Sequence, residues 1–123
     1  MIIGLSTVLL LSNGLNSQID FSEIKETGIN YVELSSPSHI DLETIKKIKN
    51  SGLNIYSAHS DFIDVDISNP DTYNREKSIM LIKTRIRLLN EIGAQLIVIH
   101  PGNWCENQVE KEERISNSIN SLT

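Results

Sequence analysis

Short apolar runs rich in β-branched residues alternate along this chain with longer stretches of helical period. Ile2-Ile3-Gly4-Leu5-Ser6-Thr7-Val8 predicts a first strand. A short helix follows over Phe21 to Thr27, started by Asp20 or Ser22 and stopped by Gly28. Asn30 to Leu34 reads as a second strand. Asp41 to Asn50 reads as a second helix, with Leu42, Ile45 and Ile48 on one face and Gly52 beyond its end. Asn54 to His59 predicts a third strand. Pro70 then leads into the longest helix, Asp71 to Ile92, whose Ile79, Ile82, Ile86 and Leu89 line one side, with Lys83, Arg85 and Arg87 on or near the other. Leu96 to His100 is a fourth strand, broken by Pro101-Gly102, and a polar helix runs from about Val109 to Leu122.

The order is βαβαβαβα, which implies a parallel sheet with right-handed crossovers. Gly28, Gly52 and Gly93 each stand just ahead of a strand, where a helix must stop and the chain must turn. The recurrence reads as one β/α unit used four times. That is the first half of a (β/α)8 barrel, with strands expected in the order 1-2-3-4. No low-complexity linker divides residues 1–123, so they form a single domain.

Alternation within strands then locates the chemistry. If His100 points into the barrel, Val98 and Leu96 do too, while Ile97 and Ile99 meet the helices. His59 inward brings Ser57 and Ile55 with it and turns Tyr56 and Ala58 outward. Glu33 inward brings Tyr31, and the first strand adds Ser6 and Gly4. A titratable group then stands at the C-terminal end of three strands, the end where parallel α/β barrels build their sites. Glu33, His59 and His100 are therefore the candidate site residues, with Trp104 as a wall of the pocket mouth. Among the remaining polar groups, Asp61, Asp64 and Asp66 lack the Gly and distal Glu of a calcium loop and read as solvated or capping residues. His39 reads as exposed and Cys105 as an inert thiol.

Composition narrows the classes. The chain has 123 residues, 39% of them hydrophobic, with a net charge of -5 and one cysteine. A packed core is within reach and an internal disulfide is not. Without a basic cluster, nucleic acid is a poor partner. The apolar start has no Lys or Arg before it and falls short of the roughly 20 residues a membrane span needs, so it reads as a buried strand. The setting expected is cytoplasmic. GxGxxG, Walker and GxSxG motifs are all missing.

Tyr56-Ser57-Ala58-His59, followed by Asp64-Val65-Asp66-Ile67-Ser68-Asn69-Pro70-Asp71 and Arg75, resembles the third-strand region of xylose isomerase-like TIM barrels. That superfamily also contains the AP-endonuclease family 2 enzymes. Leu88 to Ala94 with Leu96 to Gly102 is similar to the segment ending at its fourth strand, and Tyr31-Val32-Glu33-Leu34 to its second. The resemblance implies a divalent metal (Zn, Mn or Mg) in the full-length family. In the DNA-repair branch, the positions of His59 and His100 ligate zinc. In the sugar isomerase and epimerase branch, the metal is held from strands five to eight, and Glu33, His59 and His100 shape the sugar pocket.

The preferred expectation is a sugar or sugar-phosphate isomerase or epimerase using metal-assisted proton transfer. The alternatives are an AP endonuclease-like zinc phosphodiesterase and a non-catalytic half-barrel interaction module. Because the usual later ligands and acid/base carboxylates belong to units beyond the fourth, the chain is expected to be a fragment, inactive and weak in metal binding alone. It could otherwise pair with a missing C-terminal half or a second copy.

Overall fold

The computed structural model describes residues 3–7, 20–35, 42–60, 65–103 and 105–123. Strand β1 is Gly4–Ser6, helix α1 Phe21–Glu26, β2 Tyr31–Leu34, α2 Leu42–Asn50, β3 Asn54–His59, α3 Thr72–Ile92, β4 Leu96–Val98 and α4 Gln108–Leu122. The four strands form one parallel sheet in the order β1-β2-β3-β4, as the alternation of elements predicted.

Local chemistry sets the boundaries. Asp20 caps α1 by accepting from the Ser22 amide, and Asp71 caps α3 by accepting from that of Asn74. Asn107 caps α4 through the amides of Val109 and Glu110. At the far end of α3, Gly93 sits at φ 84°, where an L side chain is strained, and its amide closes back onto Asn90 and Leu89. The chain can therefore leave the helix and enter β4 within three residues.

The core lies between the helices and one face of the sheet. Val32, Leu34, Ile55 and Ala58 supply the sheet side, and Phe21, Ile45, Ile48, Leu53 and Leu89 pack onto them. Each such aliphatic side chain contributes about 1.5–3 kcal/mol when fully buried. Ile97 of β4 packs against the same cluster. Two helical faces are narrower than their spacing implied. Leu42 is exposed at the start of α2, and Ile86 of α3 is 44% exposed although Ile82 and Leu89 are buried.

One correction concerns β3. Val32 pairs with Ile55, but the next β2 residue, Glu33, pairs with Ser57. Two β3 residues thus oppose one of β2, a bulge that re-aims the side chains before it. Ile55 joins the helix-side core instead of facing inward. Tyr56, expected outward, faces the inner side, where it shares a small cavity with Gly4, Ser6, Glu33 and Ser57 and its ring meets Tyr31 edge-on at 5.7 Å. Beyond the bulge the expected parity resumes, with Ala58 in the core and Ser57 and His59 inward. β4 is also shorter than predicted: His100 lies two residues past its end.

Candidate active site

Three elements bring the site residues together at the C-terminal end of the sheet. Ser6, Glu33 and Ser57 are successive partners across β1, β2 and β3, so they occupy one layer of the inner face. Ser57 Oγ donates to Glu33 Oε2 at 2.9 Å. The other carboxylate oxygen, Oε1, lies 3.3 Å from His59 Nε2, one layer higher on β3. His59 Nδ1 in turn lies 3.4 Å from His100 Nε2 across the gap to the end of β4, with the ring centroids 5.5 Å apart. The result is a continuous polar row, Ser57–Glu33–His59–His100. Serine fixes the carboxylate, the carboxylate orients the middle imidazole, and that imidazole meets the second one. Such a row presents hydrogen-bond donors and acceptors at defined positions above the sheet.

The row can be tested for a divalent ion. Two imidazole nitrogens on one tetrahedral zinc stand about 3.4 Å apart, which the His59 Nδ1 to His100 Nε2 separation matches. Glu33 does not complete the set, because it faces Nε2, whose lone pair diverges from that of Nδ1. Among the described residues no three His, Cys, Asp or Glu side chains could hold a metal ion together. The histidine pair fits two corners of a coordination sphere whose remaining ligands must come from elsewhere.

What sequence reasoning missed is the support beneath His100. Asp66, expected to be solvated or capping, is only 7% exposed. Its Oδ1 accepts from the Ser68 amide at 3.0 Å and the Ser68 hydroxyl at 2.6 Å. Oδ2 accepts from Asn103 Nδ2 at 3.2 Å and Arg114 Nη1 at 3.0 Å. Burial by itself raises the pKa of Asp66, but the Ser68, Arg114 and Asn103 donors outweigh it and hold the carboxyl below its ordinary value. Arg114 is gripped from the other side by Glu110, one helical turn back, at 2.8 Å.

Around this hub the β4–α4 loop is fastened residue by residue. Ser60 N donates to Val98 O at 2.7 Å, and Ser118 Oγ donates to Pro101 O. Gly102, at φ 130°, lies so close to Ser68 that a Cβ would overlap its Oγ. The Asp-x-Ser spacing and Gly after Pro were visible signals of local turns. The pairing of Asp66 with Arg114 was not, since 48 positions separate them.

The other candidates fall outside this constellation. Cys105 is a free thiol whose Sγ lies 3.8 Å from Asn107 O, lining a groove beside α4 instead of the polar row. Trp104, His39, Asp61 and Asp64 lie outside the described residues.

A family model described as xylose isomerase-like TIM barrel matches residues 21–123. The chain belongs to that family. Its polar row thus stands where a member of the xylose isomerase-like TIM barrels would have the mouth of its barrel. An uncharacterised protein of Methanocaldococcus jannaschii, MJ1614, is 28% identical over 99% of this chain and 49% of its own length. Among solved structures, a D-psicose 3-epimerase superimposes with a TM-score of 0.74 at 13% identity, over 99% of this chain and 46% of its own. A sugar phosphate isomerase/epimerase from Parabacteroides distasonis gives 0.70 at 18% identity, over 97% and 45%. The 3-keto-D-glucoside 4-epimerase of E. coli gives 0.63 at 19% identity, over 99% and 50%. At these identities the structural likeness speaks for the fold. The chain spans about half the length of the relatives it matches, so the described sheet corresponds to the first four β/α units of the xylose isomerase-like barrel.

Proposed function

We propose that this chain is the N-terminal part of a sugar or sugar-phosphate isomerase or epimerase acting in the cytoplasm, and that it supplies substrate-binding groups without being competent alone. The observation that carries this reading is the row Ser57–Glu33–His59–His100 at the C-terminal strand ends. In this reading Glu33, held by Ser57, keeps His59 oriented. His59 and His100, aligned in this way, line the side of the mouth that receives the substrate. A divalent metal (Zn, Mn or Mg), when bound, would polarise the substrate carbonyl. The carboxylates that move the proton belong to units beyond the fourth. The sugar-acting names of several structural relatives favour this substrate class.

A second reading has one observation in its favour. The 3.4 Å separation of His59 Nδ1 and His100 Nε2 suits two ligands of one zinc ion, as an AP endonuclease-like phosphodiesterase would need. The net charge of -5 weighs against a nucleic-acid substrate.

The deciding experiment uses the protein encoded by the intact gene. It is incubated in D2O with ketoses, aldoses and their phosphates in the presence of Mn, Mg or Zn, and separately with abasic-site DNA. Deuterium entering the carbon beside the carbonyl, with His59→Asn raising KM, is the expected result. Nicking of abasic DNA without exchange into any sugar would overturn the proposal.

A further inference from the structure

The ladder that aligns β3 with β4 ends where His59 pairs with Val98, so it stops short of His100. Beyond His100 the chain is tied at three successive positions. Ser118 Oγ of α4 donates to Pro101 O. Gly102 lies against Ser68 with no room for a side chain. Asn103 reaches both carboxylate oxygens of Asp66, from its amide to Oδ1 at 3.4 Å and from Nδ2 to Oδ2 at 3.2 Å. His100 therefore sits between the last pair of the ladder and the first of these ties.

The segment that receives the ties is itself fixed from two helices. Asp66 N donates to Ser78 Oγ of α3 at 2.9 Å. From α4, Ser121 Oγ donates to Ile67 O at 2.9 Å and Asn117 Nδ2 to Ser68 O at 3.4 Å. Arg114 Nη1 adds bonds to Asp66 Oδ2 at 3.0 Å and Ser68 Oγ at 3.2 Å. Asp66, Ile67 and Ser68 are all buried. Asp66 follows His59 along the β3–α3 connection, and Asn103 follows His100 along the β4–α4 connection. The hub thus joins the two histidine-bearing connections to each other. Apolar packing of equal volume would serve stability as well as a buried ion pair does. What a satisfied hydrogen-bond network adds is direction, since its bonds admit one arrangement and resist sliding.

We propose that Asp66 and Arg114 are positioning residues: acting through Asn103 and segment 101–103, they set the separation of His59 and His100. Functional side chains must be held within about 0.5 Å of their productive places by such supporting contacts. The effect on ring placement holds whatever the substrate; the effect on turnover rests on the sugar isomerase or epimerase reading above.

The test uses the protein from the intact gene, labelled with 13C at histidine. It reads the nuclear Overhauser effect between the His59 and His100 rings, alongside kcat/KM on the sugar that shows deuterium exchange. Asp66→Ala removes the hub. Asn103→Ala with Ser118→Ala cuts two ties but leaves Asp66 and Arg114 paired, so it decides the matter if Asp66→Ala does not fold. Ile48→Ala is the control, a loss of stability in the helix-side core beside Val32 and Leu34. Both hub variants should weaken the inter-ring effect and lower kcat/KM, by up to about 100-fold for a displacement of about 1 Å. Asp66→Asn, which keeps one acceptor, should lose less than Asp66→Ala. Ile48→Ala should keep the wild-type value of both readouts. A weakened inter-ring effect in a protein that turns over no sugar supports the positioning and overturns only the functional reading. Rings that stay in contact in the Asn103→Ala, Ser118→Ala protein overturn the proposal. So does an equal loss of contact in Ile48→Ala.

Discussion

Arg114 of α4 donates from Nη1 to Asp66 Oδ2 at 3.0 Å, joining residues 48 positions apart beneath the loop that carries His100. Its Nε donates to Glu110 Oε1 at 2.8 Å, and Nη1 also reaches Ser68 Oγ at 3.2 Å. The Asp66 carboxylate is also held by Ser68 and Asn103, so the loop after β4 is tied at once to the β3–α3 connection and to the last helix. A buried charge so fully satisfied becomes a liability when one partner is removed.

Asp66→Ala should therefore lower stability by about 2–4 kcal/mol, because it leaves the Arg114 and Asn103 donors without their acceptor. Asp66→Asn keeps the shape but loses the charge and turns one acceptor into a donor, and should fall between wild type and Asp66→Ala. Urea melts monitored by circular dichroism on the three proteins measure the order.

The depressed pKa of Asp66 makes the same contact sensitive to acid. Its value in the unfolded chain is the ordinary one, above that in the fold. The stabilisation is complete above the unfolded value and drains away as pH falls through the folded one. Wild type should lose urea resistance on acidification below about pH 4, where unfolded carboxylates take up protons. Asp66→Asn should lose less over the same interval. Equal losses in the two proteins would remove Asp66 from the account.

Gly102→Ala should be among the most damaging small substitutions. Its Cβ would overlap both Oγ and Cβ of Ser68 and stand 2.8 Å from Asp66 Oδ1, at a φ of 130° that L residues avoid. About 2–4 kcal/mol is expected from the overlap and the backbone strain together. Adding Ser68→Gly relieves the overlap with Ser68 but removes the hydroxyl that donates to Asp66, so the double variant should regain only part of the loss, relative to Ser68→Gly alone, in thermal melts.

Two isoleucines test the packing reading. Ile48 is completely buried among Val32, Leu34 and Ile55, and Ile48→Ala should cost about 2–5 kcal/mol. Ile86, on the same kind of helical stripe in α3, is largely exposed, and Ile86→Ala should stay within about 0.5 kcal/mol. Similar losses at both positions would mean that α3 packs over more of the sheet than its exposed stripe implies.

At the polar row, Ser57→Ala removes the hydroxyl that holds Glu33 Oε2 while leaving all three titratable groups in place. In the protein from the intact gene this should raise KM several-fold and leave kcat nearly unchanged, the signature of lost substrate positioning. Steady-state kinetics on the sugar that shows deuterium exchange gives the split. A fall in kcat with KM unmoved would place Ser57 in the chemical step instead.

Much of this molecule was legible in the order of its residues. The alternation of apolar runs with helical periods determined four β/α units, and the parallel order 1-2-3-4 follows because right-handed crossovers allow few others. Alternation within β2 and beyond the bulge of β3 placed Glu33 and His59 on one face, since side chains of a regular strand have a period of two. Only tertiary structure decided where that period breaks. The bulge opposite Val32 and Glu33 arises from how β3 fits its neighbour, and it swapped the faces of Ile55 and Tyr56. Only tertiary structure, too, gave Asp66 its partners. A carboxylate at the head of a turn looks like any surface aspartate until Arg114 arrives from a helix 48 positions later, because local sequence encodes local hydrogen bonds and carries no record of which distant donor the folded chain will bring.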